Sequence, residues 1–253
     1  MVAGGKIGAL TIDGDATATQ ASDLQVKAGG AVGNVTIRAN TAALGSLVDS
    51  SILAGQSMVI DGATVGLQTA QLLNGTLGKV SVSGSLTNSK LVAASNIGAV
   101  TVSGDMQNSL LLAGAEIGAT FAVDGNGSYI QQAKIASVKV TGAFTSSSIA
   151  AGVTPGADSV FGNSDDTAAL NAGLLTTTSQ IGSLVFGAGT TTSSTAVLSA
   201  GGTDHNFAIE SAALSSLQIG ALAQVKVFTS PTFIDATNNG EDASDVLVKL
   251  KTL

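Results

Sequence analysis

Apolar and polar residues alternate in short bursts along the chain. Val80/Val82, Val100/Val102 and Val138/Val140 are separated by Ser, Thr and Lys, the period-two pattern of a strand with one buried face. Gly84, Gly104 and Gly142 follow these bursts. A second apolar stretch comes next (Leu91-Val92, Leu110-Leu111-Leu112, Ile149) and ends in small residues such as Ala113-Gly114 and Ala151-Gly152. Each unit therefore reads as two short strands and two turns.

The units repeat. Leu77-Gly-Lys-Val-Ser-Val-Ser-Gly recurs 20 residues later as Ile97-Gly-Ala-Val-Thr-Val-Ser-Gly, a third copy starts at Ile135, and looser copies start at Ile7, Val32, Ile117, Ile181 and Ile219. A unit this short cannot bury its own apolar face, so it must stack on its neighbours. The pattern predicts an all-β chain folded as a parallel β-helix, a β-solenoid of about 20 residues per rung with loop insertions. The right-handed form is expected, because the period is long and interrupted rather than strictly hexapeptide. A propeller or sandwich would need longer strands, more aromatics and more hairpin turns than Asn74-Gly75, Asn126-Gly127 and Asn239-Gly240 supply. Gly, Ser, Thr and Val disfavour a helical solenoid.

One domain is expected over residues 1–253, with regular rungs at 77–152, insertions near 39–75, 153–180 and 189–216, and a C-terminal cap at 228–253. In the cap, Pro231 stops a strand, and Lys249 and Lys251 alternate with apolar residues. Stacking aligns Asn88 with Asn108 and Ser146, and Ser89 with Ser109 and Ser147. These columns are read as structural ladders, formed by aligned turn side chains.

Composition narrows the chemistry. Charged residues are only 11% of the chain, aromatics 3%, and the formal net charge is −7 with a single arginine, Arg38. Clustered cations for phosphates and aromatic stacking platforms are missing from this composition, so nucleic acid is not an expected partner. Any glycan contact would have to be polar. With no cysteine, thiolate nucleophiles, disulfides and Cys-based zinc sites fall away. No apolar run approaches the roughly 20 residues that span a bilayer, and the first residues lack the features of a signal peptide. Membrane insertion is not expected. The pattern starts almost at once, at Ile7, which leads to the expectation of a segment from a longer exported chain whose signal lies elsewhere.

Insertions are where binding surfaces usually sit. The stretch Thr154-Pro-Gly-Ala-Asp-Ser-Val-Phe-Gly-Asn-Ser-Asp-Asp holds the densest acidic cluster, and Asp158, Asn163, Asp165 and Asp166 offer hard oxygen ligands of the kind calcium takes. A solvated turn with Asx caps is the alternative. Asp165-Asp166 also superficially resembles the adjacent aspartates of polygalacturonase-type enzymes, which raises a degenerate polysaccharide-active β-helix as the alternative function. The further carboxylate, His and basic partners of such a site are not found. His205 beside Asp204 reads as a loop histidine, because its neighbour is adjacent in sequence and no nucleophile stands out. Tyr129 reads as a turn plug. Thr-rich stretches at 17–19, 176–178 and 190–192 raise ice binding, but the outward sets Lys79/Ser81/Ser83, Ala99/Thr101/Ser103 and Ser137/Lys139/Thr141 form no threonine array.

The units beginning Ile-Gly-x-Val-x-Val-x-Gly, followed by Asn-Ser and Leu-x-Ala-Gly, resemble the repeats of large bacterial surface and secreted β-helix proteins of the adhesin type. The insert Gly-Ala-Asp-Ser-Val-Phe-Gly-Asn-Ser-Asp-Asp looks like the acidic inserts between their rungs. The resemblance covers residues 7 to about 227. It implies a non-catalytic extracellular structural or adhesive module: a rod, stalk, surface layer or filament. The resemblance names no ligand; copies of the chain itself, adjoining repeats of a parent chain, or a surface glycan or protein are the expected partners. No catalytic residue is assigned.

Overall fold

A computed structural model describes residues 1–14, 24–39, 45–56, 58–60, 63–65, 75–115, 117, 132–154, 167–168, 179–187, 198–199, 208–211, 213–219, 232–234 and 246–250. Among these residues the regular elements are all strands. They form three large sheets. The first contains, in order, Leu10–Asp13, Val35–Arg38, Val80–Val82, Ile97–Val102, Lys134–Val140, Gln180–Phe186 and Ala213–Ile219. The second contains Leu47–Val48, Leu86–Thr87, Met106–Gln107, Phe144–Thr145 and Leu198–Ser199. The third runs Val2–Ala3, Gln25–Ala28, Ser51–Ala54, Lys90–Ala93, Leu110–Ala113, Ser148–Ala151, Ala208–Ser211, Val246–Leu250 and Thr232–Ile234.

From Val80 to Ala151 the chain visits first, second and third sheet in strict rotation, three times. Neighbouring strands in the three sheets are parallel, apart from the last pair of the third sheet, where Thr232–Ile234 runs antiparallel to Val246–Leu250. Two short antiparallel pairs lie outside the stack: Met58–Ile60 with Ala63–Val65, and Val153–Thr154 with Thr167–Ala168.

Because the register is kept, each inward position becomes a column. Val35, Val80, Val100, Val138, Leu184 and Leu217 stand in line across the first sheet. Leu47, Leu86, Met106 and Phe144 do so across the second, and Ile52, Leu91, Leu111 and Ile149 across the third. All are buried and belong to one core. Phe144 and Phe186 close against each other there, with ring centroids 4.8 Å apart and planes at 44°, a tilted aromatic contact.

Four features differ from the sequence reading. Each unit has three strands, because Leu86–Thr87, Met106–Gln107 and Phe144–Thr145 form a sheet of their own; a two-residue strand has too few positions to show a period. Ile117 begins no rung: it packs with Leu53, Val92, Leu112 and Ala150 in a second apolar cluster. These four stand in register on the third sheet, next to the inward residues, so consecutive apolar residues there mark a sheet covered on both faces. Ile219 also begins no rung, since it pairs in register with Phe186, while Leu214 takes the leading place opposite Ile181. In the cap, Val246–Leu250 has a strand on each side, and Thr232–Ile234, directly after Pro231, is the outer one.

Candidate functional site

The corner between the second and third sheets is two residues long in four consecutive rungs: Asp49-Ser50, Asn88-Ser89, Asn108-Ser109 and Ser146-Ser147. The first residue of each pair is left-handed, with φ of 47° at Asp49, 49° at Asn88, 47° at Asn108 and 46° at Ser146. Asn and Asp tolerate this region best among non-glycine residues. The second residue is a buried serine whose hydroxyl works in two directions. Ser50, Ser89 and Ser109 donate their amides to the hydroxyls of Ser89, Ser109 and Ser147, at 3.1, 3.1 and 3.0 Å. The Oγ of Ser50, Ser89, Ser109 and Ser147 in turn donates to the carbonyl two residues back, at 2.6, 2.7, 2.8 and 2.8 Å. Asn88 and Asn108 are exposed beside this column and donate their backbone amides to the Gln107 and Thr145 carbonyls of the next rung at 3.0 and 3.2 Å; the side-chain relay of the corner runs through the serines.

The other corners use the same device, mostly in the opposite sense with the acceptor on the earlier rung; Ala133 N, which donates to Ser179 Oγ on the later rung at 3.3 Å, is an exception. Lys79 and Lys134 donate their amides to the Oδ1 atoms of Asn34 and Asn96, at 3.0 and 2.8 Å. Asp105 N donates to Ser85 Oγ at 3.1 Å, and Ala143 N to Asp105 Oδ1 at 2.7 Å. Gln56, 1% exposed, joins distant segments: Nε2 donates to the carbonyls of Ala54 and Ala115 at 3.0 and 3.2 Å, and Oε1 accepts from Ile117 N at 2.6 Å. It holds the Ala115–Ile117 region over the outer face of the third sheet.

Asp158, Asn163, Asp165 and Asp166 lie outside the described residues, as do Tyr129, Asp204 and His205. The described neighbours of the acidic stretch are paired antiparallel, Val153 with Ala168 and Thr154 with Thr167, which brings the residues flanking 155–166 together. Among the described residues no three His, Asp or Glu side chains converge to hold a metal, and no helix is long and apolar enough to cross a membrane.

The outer face of the first sheet is hydroxyl-rich and cationic. Thr11, Thr36, Ser81 and Thr101 form one column that continues through Lys139 to Val185 and Gln218; Ser137, Ser183 and Ser216 form another. Arg38 and Lys139 on the face, with Lys6, Lys79 and Lys134 at or beside its leading corner, are all exposed. These are five of the ten cationic residues in a chain with 17 acidic ones. Among the described residues, Asp13 is the acid on this face, in register with Arg38. At the corner, Thr76, Asn96, Gly98, Lys134 and Gln180 line a groove of about 460 Å³. Its glycine floor follows from close backbone approach, since a Cβ on Gly98 or Gly78 would sit 3.0 or 2.8 Å from the carbonyl carbon of the glycine one rung earlier. Across the stack, Lys90 in the third sheet has its ammonium pulled below its ordinary pKa by desolvation.

Sequence reasoning missed Ser50 and the cationic face. Ser50 was detectable, because Val48-Asp49-Ser50-Ser51-Ile52-Leu53-Ala54-Gly55 follows the same scheme as Gln107-Asn108-Ser109-Leu110-Leu111-Leu112-Ala113-Gly114. Comparison with family models, curated proteins and solved structures gives no match.

Proposed function

We propose that the chain is a right-handed parallel β-helix serving as a non-catalytic structural and interaction module outside a bacterial cell or on its surface. The observation carrying this reading is the constant register of three sheets across successive rungs, with apolar columns inside and polar side-chain relays at the corners. Such a stack supports a stiff scaffold whose outward residues are free to vary. The low charge, the lack of cysteine and the adhesin-like repeat favour an exported setting. Adjoining rungs or a second copy are the expected partners along the axis, where Val2–Ala3 offers a strand edge and Met1 and Val2 are 64% and 67% exposed.

Calcium belongs to the same reading, held by Asp158, Asn163, Asp165 and Asp166 in the loop closed by the Val153–Thr154 pairing. Immunogold labelling of intact producing cells tests the location, and label confined to the cytoplasm would overturn it. Thermal unfolding in millimolar calcium against chelator tests the ion. A calcium shift that disappears in Asp165→Ala/Asp166→Ala is expected; equal melting in both conditions would remove calcium from the proposal.

A further inference from the structure

We propose that the outer face of the first sheet, with the groove at its leading corner, is a docking surface for a linear anionic polysaccharide. This rests on reading the molecule as an interaction module and names the ligand class for it. Lys6, Arg38, Lys79, Lys134 and Lys139 are scattered over more than half of the sequence, and stacking collects them on one side of an acidic protein. Lys6, Lys79 and Lys134 belong to the first, third and fifth strands of the sheet or the residues leading into them. At the usual inter-strand spacing they are stepped by ~10 Å along the axis; Lys6 and Lys134 stand one residue before the aligned Ile7 and Ile135, and Lys79 two residues after the aligned Leu77, so the cations form a staggered band and not a single file. That axial step is comparable to two pyranose rings of an extended glycan, so a polymer bearing a carboxylate on every ring, such as polygalacturonate, keeps acidic groups within reach of the staggered band along its length.

Between the cations, the hydroxyls of Thr36, Ser81 and Thr101 stand in a straight column and can exchange hydrogen bonds with sugar hydroxyls. The groove lined by Asn96, Lys134 and Gln180 adds a concave rim. Nucleic acid suits the face less well: Arg38 is its lone guanidinium, and the chain's aromatic content of 3% supplies no stacking platform.

The test is binding of the intact protein to polygalacturonate, with dextran as the neutral control and poly-dT as the competing polyanion. Polygalacturonate is expected to bind, dextran not, and affinity should fall with added salt because the contacts are exposed charges. Lys79→Glu/Lys134→Glu/Lys139→Glu should weaken binding by about tenfold or more with an unchanged melting temperature; Lys27→Gln on the third sheet should leave binding unchanged. Should the triple variant fold poorly, Lys79→Glu and Lys139→Glu singly, both at exposed positions, keep the test intact.

No polygalacturonate binding, binding untouched by the triple variant, or tighter binding of poly-dT would each overturn the proposal. So would a salt-sensitive dimer in sedimentation that the triple variant dissolves, since the face would then belong to a second copy. Failure to bind leaves the scaffold reading standing. Shortening of the polymer would instead overturn the non-catalytic reading.

Discussion

Replacing Ser109 by alanine isolates what the serine column contributes. Ser109 is 4% exposed, and its Oγ accepts from Ser89 N at 3.1 Å while donating towards the Gln107 and Leu86 carbonyls at 2.8 and 3.2 Å. Ser109→Ala leaves the Ser89 amide without that acceptor inside the stack, and the methyl group gains little because the site is already packed. An orphaned buried amide costs about 1–3 kcal/mol, so a loss of about 2 kcal/mol is expected. For a chain of this size that is a fall in melting temperature of roughly 4–8 °C. Ser103→Ala, at an exposed position directly after the first-sheet strand Ile97–Val102 of the same rung, should stay within about 0.5 kcal/mol of the parent. Chemical denaturation of both variants, followed by far-ultraviolet circular dichroism, measures the difference. If Ser109→Ala matched Ser103→Ala, the hydroxyl would not be satisfying the corner amide and the ladder would contribute no stability.

Other substitutions probe the remaining devices. Ser146→Gly should raise stability by about 0.5–1 kcal/mol, because φ of 46° strains a serine and not a glycine; a lower midpoint in denaturant would count against it. Gly78→Ala should cost about 1–3 kcal/mol, since its Cβ would lie 2.8 Å from the Gly33 carbonyl carbon, and a parent-like melting curve would contradict the close approach. Lys90 links stability to pH. Its folded-state pKa lies below the unfolded one, so the unfolded chain binds more protons between the two values and stability climbs as pH rises through that window. Subtracting the melting profile of Lys90→Gln from that of the parent should leave a rising alkaline limb; a flat difference refutes the burial.

What was legible in the sequence followed from periodicity and from strings long enough to recur. Val80/Val82 and Val100/Val102 announced the first sheet because two inward residues flank one outward residue, and the structure pairs them as the repeat implied. The second sheet stayed hidden, since Leu86 and Met106 are each the single inward residue of a two-residue strand. Ile117 and Ile219 carried the right dipeptide, Ile-Gly, without the register, which depends on which strand is already in place. The serine column could be aligned by eye, but its two-way hydrogen bonding could not, because backbone direction at a left-handed residue is invisible in a string of letters. The cationic face was hidden for a related reason: lysines 73 and 55 residues apart, as Lys6, Lys79 and Lys134 are, look dispersed until the rung length is known.

The two-residue corners also decide where the molecule can grow. From the strand Leu47–Val48 to the strand Ser148–Ala151, the step from second to third sheet never changes length, whereas the step from third back to first absorbs 57–74 after Gln56 and 155–178 after Thr154 and closes directly after Ala93. Loop-closure entropy rises by only about 0.6 kcal/mol for each doubling of loop length, so a corner that already differs in length from rung to rung accepts foreign sequence cheaply. The serine edge thus acts as a hinge-free spine, and the opposite corner as a row of sockets. Peptides grafted between Thr154 and Thr167, which are already paired across the insertion, should leave the spine intact, while one extra residue between Asn88 and Ser89 would break its register in both directions.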